Sequence, residues 1–389
     1  MLPFFLFPKR YSVCVNTYGN HIAIIGGGIA GLALGIMLKK NNIPNVIFER
    51  SSNVSENGAG ISISPNGKFI LEKFEILDEL KKNSGNSLKT IFYSNLEEIT
   101  TVNSNVLTTS RKCLHDTLLN KYIDLGGNIR FNCELEDIDT DINKIYLKNG
   151  EFFEVRHIAA CDGIKSLCHK KISTANSNPT YSGYSVWRAI LESKQSSINF
   201  HLGPNFHVVS YPVDSNRVSF IAAIKNKNKF KESWKEKGTI DDLMDEVPLE
   251  IIDKYKSIKD SKDIYKWGVY IRPQIEFLFK RNITYLGDAA HPIVPFIGQG
   301  GCMALEDAYA FGYLLNKHNN NIEIAQKKYQ ELRLKRLRSI YKSSLFQAKL
   351  NHLSNPFLVR LRNVLMRYSG IIYYRTKSIW SYDITTELS

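Results

Sequence analysis

Short apolar runs separated by helical stripes open this chain and give way, past residue 180, to strand-like alternation. Residues 22–25, IAII, form a fully apolar run of the kind a buried parallel strand requires. A helix follows, with Ala33, Leu34, Met37 and Leu38 as its apolar stripe and Asn41-Asn42 at its end. NVIFE then makes a second strand. The next stretch predicts a loop with Gly58 and Gly60, an apolar strand, and an amphipathic helix after Pro65-Asn66 with Phe69, Ile70, Phe74 and Leu77 inward. Residues 88–108 alternate as short strands. A helix over 110–127 is capped by Ser110, faces inward with Leu114, Leu118 and Leu119, and stops at Gly126-Gly127. NIRFNCELEDI predicts one strand, Asn149-Gly150 turns a hairpin, and HIAAC leads into Asp162-Gly163.

Between 180 and 275 the pattern changes. YSGYSVWRAIL, FHVVSYPV and RVSFIAAI alternate as strands rich in aromatic and β-branched residues, with Asp214-Ser215-Asn216 turning between the last two. A polar helical insert interrupts them. Strand–loop–helix character returns at 281–316, and the chain ends in helices. The expected class is α/β with an α+β second lobe. The expected division is an N-terminal extension (1–19), a nucleotide-binding unit in two parts (20–178 and 279–320), an antiparallel sheet lobe (179–278, joined by part of 85–108), and C-terminal helices (321–389).

The first turn carries the chemistry. Gly26, Gly28 and Gly31 fit G-x-G-x-x-G, with Ala30 inside it. These glycines permit the tight turn, close approach of a pyrophosphate, and helix–strand packing. The helix N-terminus offers free N–H groups to phosphates. Glu49 stands 18 residues after Gly31, with Arg50 beside it, near the ~20-residue spacing at which an acid meets a ribose hydroxyl. This stretch does not separate NAD from FAD. A second site does: in ITYLGDAAHPIVPFIGQGGCMALEDAYAFG, a strand ends at Gly287-Asp288, a loop with Pro295, Gly298, Gly300 and Gly301 follows, and a helix starts near Cys302–Met303. Backbone N–H groups there suit an anionic ring edge, and Asp288 suits sugar-type hydroxyls. An NAD fold does not need this second site, whereas FAD extends past its ADP half.

The whole chain has 389 residues and a formal charge of +13. The excess reads as lysine-rich solvated faces, with no nucleic-acid module. None of the six cysteines forms C-x-x-C, and no Cys/His cluster has ligand spacing, so no metal site is expected and a reducing, cytoplasmic setting is. His201 and His207 read as polar decoration at strand ends. No run reaches the ~18 apolar residues of a membrane span. The helix in NPFLVRLRNVLMRYSG has Leu358, Leu361, Leu365 and Tyr368 on one face and Arg360, Asn363 and Arg367 on another. Docking on its own protein is the favoured reading, and peripheral membrane contact the alternative.

With these motifs in order, the chain resembles the FAD-dependent aromatic hydroxylases, the single-component flavoprotein monooxygenases that include salicylate, para-hydroxybenzoate and urate hydroxylases, zeaxanthin epoxidase and the tetracycline-inactivating monooxygenases. The likeness covers residues 22 to about 385. It rests on Gly26 to Glu49, on Asp162 and Gly163 in CDGIKSLCHK, and on GDAAHPIVPFIGQGG. It implies a Rossmann-like FAD fold of the para-hydroxybenzoate hydroxylase type. FAD would contact Gly26, Gly28, Ala30, Gly31, Glu49, Arg50, Gly60, Arg111, Asp162, Asp288, Pro295, Gly298, Gly300 and Gly301. Substrate would meet Trp187, Arg188, Tyr211 and Pro295. It further implies NADPH or NADH as donor, O2 as oxidant, and oxygen transfer from a flavin C4a-hydroperoxide to an aromatic or polycyclic small molecule, with no side-chain nucleophile. Alternatives are inactivation of a tetracycline, or epoxidation or hydroxylation of an isoprenoid or quinone. The expected assembly is a monomer or homodimer. Cys168-His169 stand where the family's Asp-Gly motif has Val-Arg, which bears on the choice between NADPH and NADH. Plainer readings exist: Asp288 as a helix cap, Arg111 on a surface, Asp162 turning a strand end, Trp187-Arg188 as sheet packing.

Overall fold

A computed structural model describes residues 18–52, 60–172, 178–226, 236–261, 263–273 and 275–388. Gly58, Cys14, most of the N-terminal extension and the first part of the polar insert lie outside them.

A six-stranded sheet runs in the order Phe279–Lys280, Ile283–Tyr285, His157–Ala160, Ile22–Ile25, Asn45–Phe48, Ile129–Arg130. Its five inner and outer pairs are parallel except the first. The three strands Ile22–Ile25, His157–Ala160 and Ile283–Tyr285 are wholly buried, which is why they are mostly apolar without alternation, and the buried polar pair His157 and Thr284 meets at 3.0 Å. The Ile29–Lys40 helix is buried from Ile29 to Leu38, so its inward surface is wider than the stripe its sequence suggests. It lies against the Arg111–Asp124 and Gly300–Lys317 helices. Ser110 caps the former by accepting from Cys113 N at 3.0 Å.

A seven-stranded sheet runs Tyr265–Ile271, Thr180–Glu192, Arg217–Lys225, Phe206–Pro212, Ser197–Gly203, Lys89–Ser94, Glu97–Asn103. It is antiparallel except where Ser197–Gly203 pairs parallel with Lys89–Ser94. One face is covered by the helical insert: Leu243, Val247, Ile251 and Ile252 pack on Trp187, Leu191, Phe206 and Phe220. On the other face Tyr184, Val186 and Trp267 pack against Val294, Phe296 and Ala348. That second face looks toward the loop after Gly287-Asp288.

Three expectations change. NIRFNCELEDI is two strands in two sheets, Ile129–Arg130 and Leu135–Asp139. Asn132 breaks it at φ 57, and its N–H is held by Ser51 O at 3.1 Å. His201 and His207 are interior to their strands and buried on opposite faces. His201 reaches Tyr255 Oη at 3.2 Å, and His207 Nδ1 meets His352 Nε2 at 3.1 Å. Finally, the Pro356–Tyr368 helix does not dock through its apolar face. Leu358, Leu361, Leu365 and Tyr368 are exposed, while Arg362 is buried and donates to Leu350 O.

Candidate functional site

The strands Ile22–Ile25, His157–Ala160 and Ile283–Tyr285 are neighbours and parallel, so the three motifs that follow them meet at one sheet edge. Ligands of open α/β sheets bind at such carboxyl ends. Steric contacts record how closely the motifs meet. A Cβ on Gly26, where φ is +106, would lie 2.5 Å from Cys161 O. One on Gly31 would lie 2.0 Å from Gly26 O, and one on Gly287 3.1 Å from Ala30 Cβ. These glycines are required by the protein itself. Gly28, Gly163 and Gly300 differ, because a Cβ there would touch nothing within 4 Å. They border open space.

Two helices end on that space. The Ile29–Lys40 and Gly300–Lys317 helices have no side-chain cap and no acid in the first turn. Their free N–H groups and partial positive charge are suited to anionic groups. Glu49 closes the first turn, accepting from Gly27 N at 2.7 Å and Ser51 N at 2.9 Å. Arg50 beside it is exposed. His115 Nε2 sits 2.8 Å from Gly27 O, so the Arg111–Asp124 helix abuts the turn, with Arg111 as its first residue. Gly60 pairs with Ser110, next to Arg111.

Asp162 Oδ2 accepts from Leu167 N at 2.8 Å and Cys168 N at 3.3 Å. It therefore caps the short Leu167–Ile172 helix, a role that sequence alone suggests for Asp288 and not for Asp162. Its Oδ1 is buried without a hydrogen-bond partner, and burial raises its pKa. An orphaned buried acceptor beside open space fits a ligand hydroxyl. The side chains of Asp288 and Pro295 are exposed at the same edge. Gly298 adopts φ +63, and a Cβ there would lie 2.7 Å from Ser62 Oγ, while one on Gly301 would lie 2.9 Å from Ile61 Cδ1. The Pro295–Gly301 loop thus rests on the Gly60–Ile63 strand. Gly28, Gly163 and Gly300 as open cradle, two uncapped helix ends and the Asp162 oxygen together fit an elongated, phosphate-bearing, hydroxyl-rich cofactor such as FAD.

The seven-stranded sheet supplies the opposite wall. Cross-strand register puts Arg188, Ile221, Val209 and Phe200 in one row on the face toward the loop, and Ile190, Ser219 and Tyr211 in the next. Ile190, Ile221, Val209 and Phe200 are only half-buried although they sit in central strands. Arg188 is buried, with its guanidinium 4.6 Å from the Trp267 ring centre. Tyr211 touches Gly60, where a Cβ would lie 2.6 Å from Tyr211 Cε2, and burial pushes the phenol up to about 12. Trp187 is not brought to this face. Strand alternation turns it into the core under the insert, where its Nε1 donates to Glu246 Oε2 at 2.6 Å.

Sequence reasoning missed two parts of the site. Arg272 is buried between the second and third motifs, donating to Ala289 O at 3.0 Å and reaching Asp288 O and Ile164 O at 3.4 and 3.5 Å. Burial lowers its pKa to about 10, although Asp162 and Asp288 favour the cation. His169, in the family arginine's position, is held at about 4 by burial and by Arg272, and stacks on Phe277. A buried cation against the Asp-Gly loop therefore comes from a distant strand end. The second missed part is a buried network behind the loop. Asp307 accepts from Gly287 N at 3.0 Å and from Arg333 Nε at 2.9 Å, and it pairs with His291 Nε2. Burial would raise its pKa, but His291 and Arg333 hold it low. Glu306 pairs with Arg333 and takes both Nε and Nη2 of Arg336 at 2.8 Å. Asn66 joins Glu306 to Gln299. The signal was present: two adjacent acids in an otherwise apolar helix need buried cations. Among the described residues, no group of three or more His, Cys, Asp or Glu is arranged to hold a metal.

Residues 20–340 match the family described as FAD binding domain. A 3-amino-4-hydroxybenzoate 2-monooxygenase of Streptomyces platensis is 26% identical, over 90% of this chain and 93% of that one. A 3-hydroxybenzoate 6-hydroxylase of Klebsiella oxytoca is 24% identical, over 85% and 88%. Among solved structures, HpxO of Klebsiella pneumoniae complexed with FAD and uric acid has a TM-score of 0.79 at 21% identity, covering 91% of this chain and 94% of that one. A tetracycline destructase has 0.68 at 18%, covering 91% and 97%. With the glycine cradle built for such a cofactor, the chain belongs to the FAD-binding domain family and is an FAD-dependent oxidoreductase whose relatives are aromatic monooxygenases.

Proposed function

We propose that this protein is an NAD(P)H-using, FAD-dependent monooxygenase that hydroxylates an aromatic or polycyclic small molecule. The observation that carries the substrate class is the half-buried apolar patch of Ile221, Val209 and Phe200 in one row and Ile190 in the next, which faces the cofactor loop from the centre of a sheet. Central-strand side chains left partly open make an apolar wall suited to a flat ring. Arg188 and Tyr211 would orient the ring's polar substituents from either side of that wall. The Gly28 turn and the Gly300 helix end would hold the cofactor's phosphates and ring edge. Asp162, Asp288, Glu49 and Arg111 would take its hydroxyl and phosphate groups. Bound FAD would supply electron transfer from NAD(P)H and activation of O2. The chain's own task is to position the substrate and exclude water. Five described cysteines are unpaired, which suits a reducing, cytoplasmic setting.

The test is consumption of NADPH and NADH by the FAD-loaded protein across phenols, aromatic acids, urate, kynurenine and tetracyclines, with peroxide counted. Stimulation by one compound, with little peroxide and a product heavier by one oxygen atom, is the expected result. Electron transfer to a compound without oxygen insertion would make the protein a reductase instead.

A further inference from the structure

The Pro356–Tyr368 helix leaves its apolar face uncovered. Phe357, Leu358, Leu361, Val364, Leu365 and Tyr368 are all exposed, Phe357 and Tyr368 to 74% and 75%. At 100° per residue these six positions span about 120° of the helix surface, the width of a core-facing stripe. Tyr373 and Tyr374 of the next helix are exposed as well, and so is Phe346 of the preceding one. A concentration of this kind on one part of a surface marks an interaction site.

The charge of this segment has one sign, although Glu97 on the neighbouring strand lies 3.9 Å from Arg367. From residue 332 to 382 the chain has eleven Lys or Arg and no Asp or Glu. Arg333 and Arg336 are engaged in the buried network. Arg362 is buried beneath the helix, and Arg367 holds it to the Glu97–Asn103 strand by donating to Ile99 O at 3.0 Å and Glu98 O at 3.0 Å. Arg360 and Lys377 are exposed, and Arg375 lies over the Phe346 ring at 4.8 Å. The helix is therefore anchored by its polar side and displays its apolar one, the reverse of a helix docked on its own core.

We infer that the Pro356–Tyr368 helix, with the helix after it, is a docking surface for an anionic lipid bilayer. An apolar stripe bordered by cations lies in the headgroup plane, gaining from apolar burial and from attraction to acidic lipid. A second copy of this chain fits less well. A two-fold contact would set these cations against one another with no acid within the segment to answer them.

The experiment is sedimentation of the full FAD-loaded chain with vesicles of phosphatidylcholine alone and of phosphatidylcholine with phosphatidylglycerol, at low and high salt. The expected result is partition onto the acidic vesicles at least roughly tenfold stronger than onto the neutral ones, falling as salt rises. The double variant Leu361→Gln/Leu365→Gln abolishes it, with flavin content and melting temperature unchanged. Arg360→Glu with Lys377→Glu weakens it by about fivefold or more per charge. No partition, or equal partition onto both vesicles, overturns the proposal. So does a dimer in size-exclusion chromatography that Leu361→Gln/Leu365→Gln converts to monomer without vesicle binding, since it assigns the face to a second copy.

Discussion

Gly28 and Gly31 stand three residues apart in one motif and do opposite work. Gly31 is demanded by the fold, since its Cβ would sit 2.0 Å from Gly26 O, while Gly28 faces open space. Gly31→Ala should lower the melting temperature, with a loss of roughly 1–3 kcal/mol from overpacking. Gly28→Val should leave the melting temperature of the flavin-free protein alone and weaken FAD affinity roughly tenfold or more by filling the phosphate space. Equal FAD affinity in Gly28→Val would place the cofactor elsewhere. Arg272 offers a second contrast. It ties the Asp-Gly and Gly-Asp loops through backbone oxygens, so Arg272→Met should weaken FAD binding about tenfold by fluorescence titration. Arg272→Lys should recover part of it. Sequence alone could not find Arg272, because nothing in IRPQ reveals that its side chain joins a loop 108 residues earlier to one 17 residues later. The glycine turns were legible because local geometry demands that residue type. Trp187 shows the opposite failure: its strand was legible, but not which face of the sheet would meet the cofactor.

Among the elements, the Gly300–Lys317 helix is the most constrained. It buries Glu306 and Asp307 completely, against Arg333, Arg336 and His291. Its N-terminus forms one edge of the cradle, so these ion pairs set where that edge lies. Arg333→Met leaves Asp307 short of a cation in a dry interior. It should cost about 3–5 kcal/mol in urea unfolding, more than any single exposed pair such as Lys327–Glu323. A loss under about 1 kcal/mol would mean the network does not hold the helix. Element identity was readable from periodicity for most of the chain. It failed at NIRFNCELEDI, where an Asn in the left-handed region splits one apparent strand between two sheets. It also failed for the Pro356–Tyr368 helix, whose apolar stripe is real but faces outward; a helical period reveals a stripe and not what lies opposite it.

For the whole molecule, acid should be the weak side. His157, His169 and His201 are held at about 4, and His207 and His352 also below their ordinary value, all chiefly by burial. In the unfolded chain each takes up a proton near pH 6.5. Their contribution to stability is therefore complete above about pH 6.5 and is lost as pH falls toward 4, at up to roughly 1.4 kcal/mol per pH unit for each. Urea midpoints should drop steeply between pH 6.5 and 4.5, and a flat profile would contradict the buried neutral histidines.

The larger claim is that a cradle for FAD and an apolar sheet face are arranged so that one oxygen atom of O2 reaches a ring held between them. Turnover of a stimulating substrate under isotopically heavy O2, with mass analysis of the product, tests this most directly. One heavy oxygen atom in each product molecule is the predicted result. A product oxidised without any heavy oxygen would contradict it, and would leave the protein a flavin-dependent dehydrogenase or reductase.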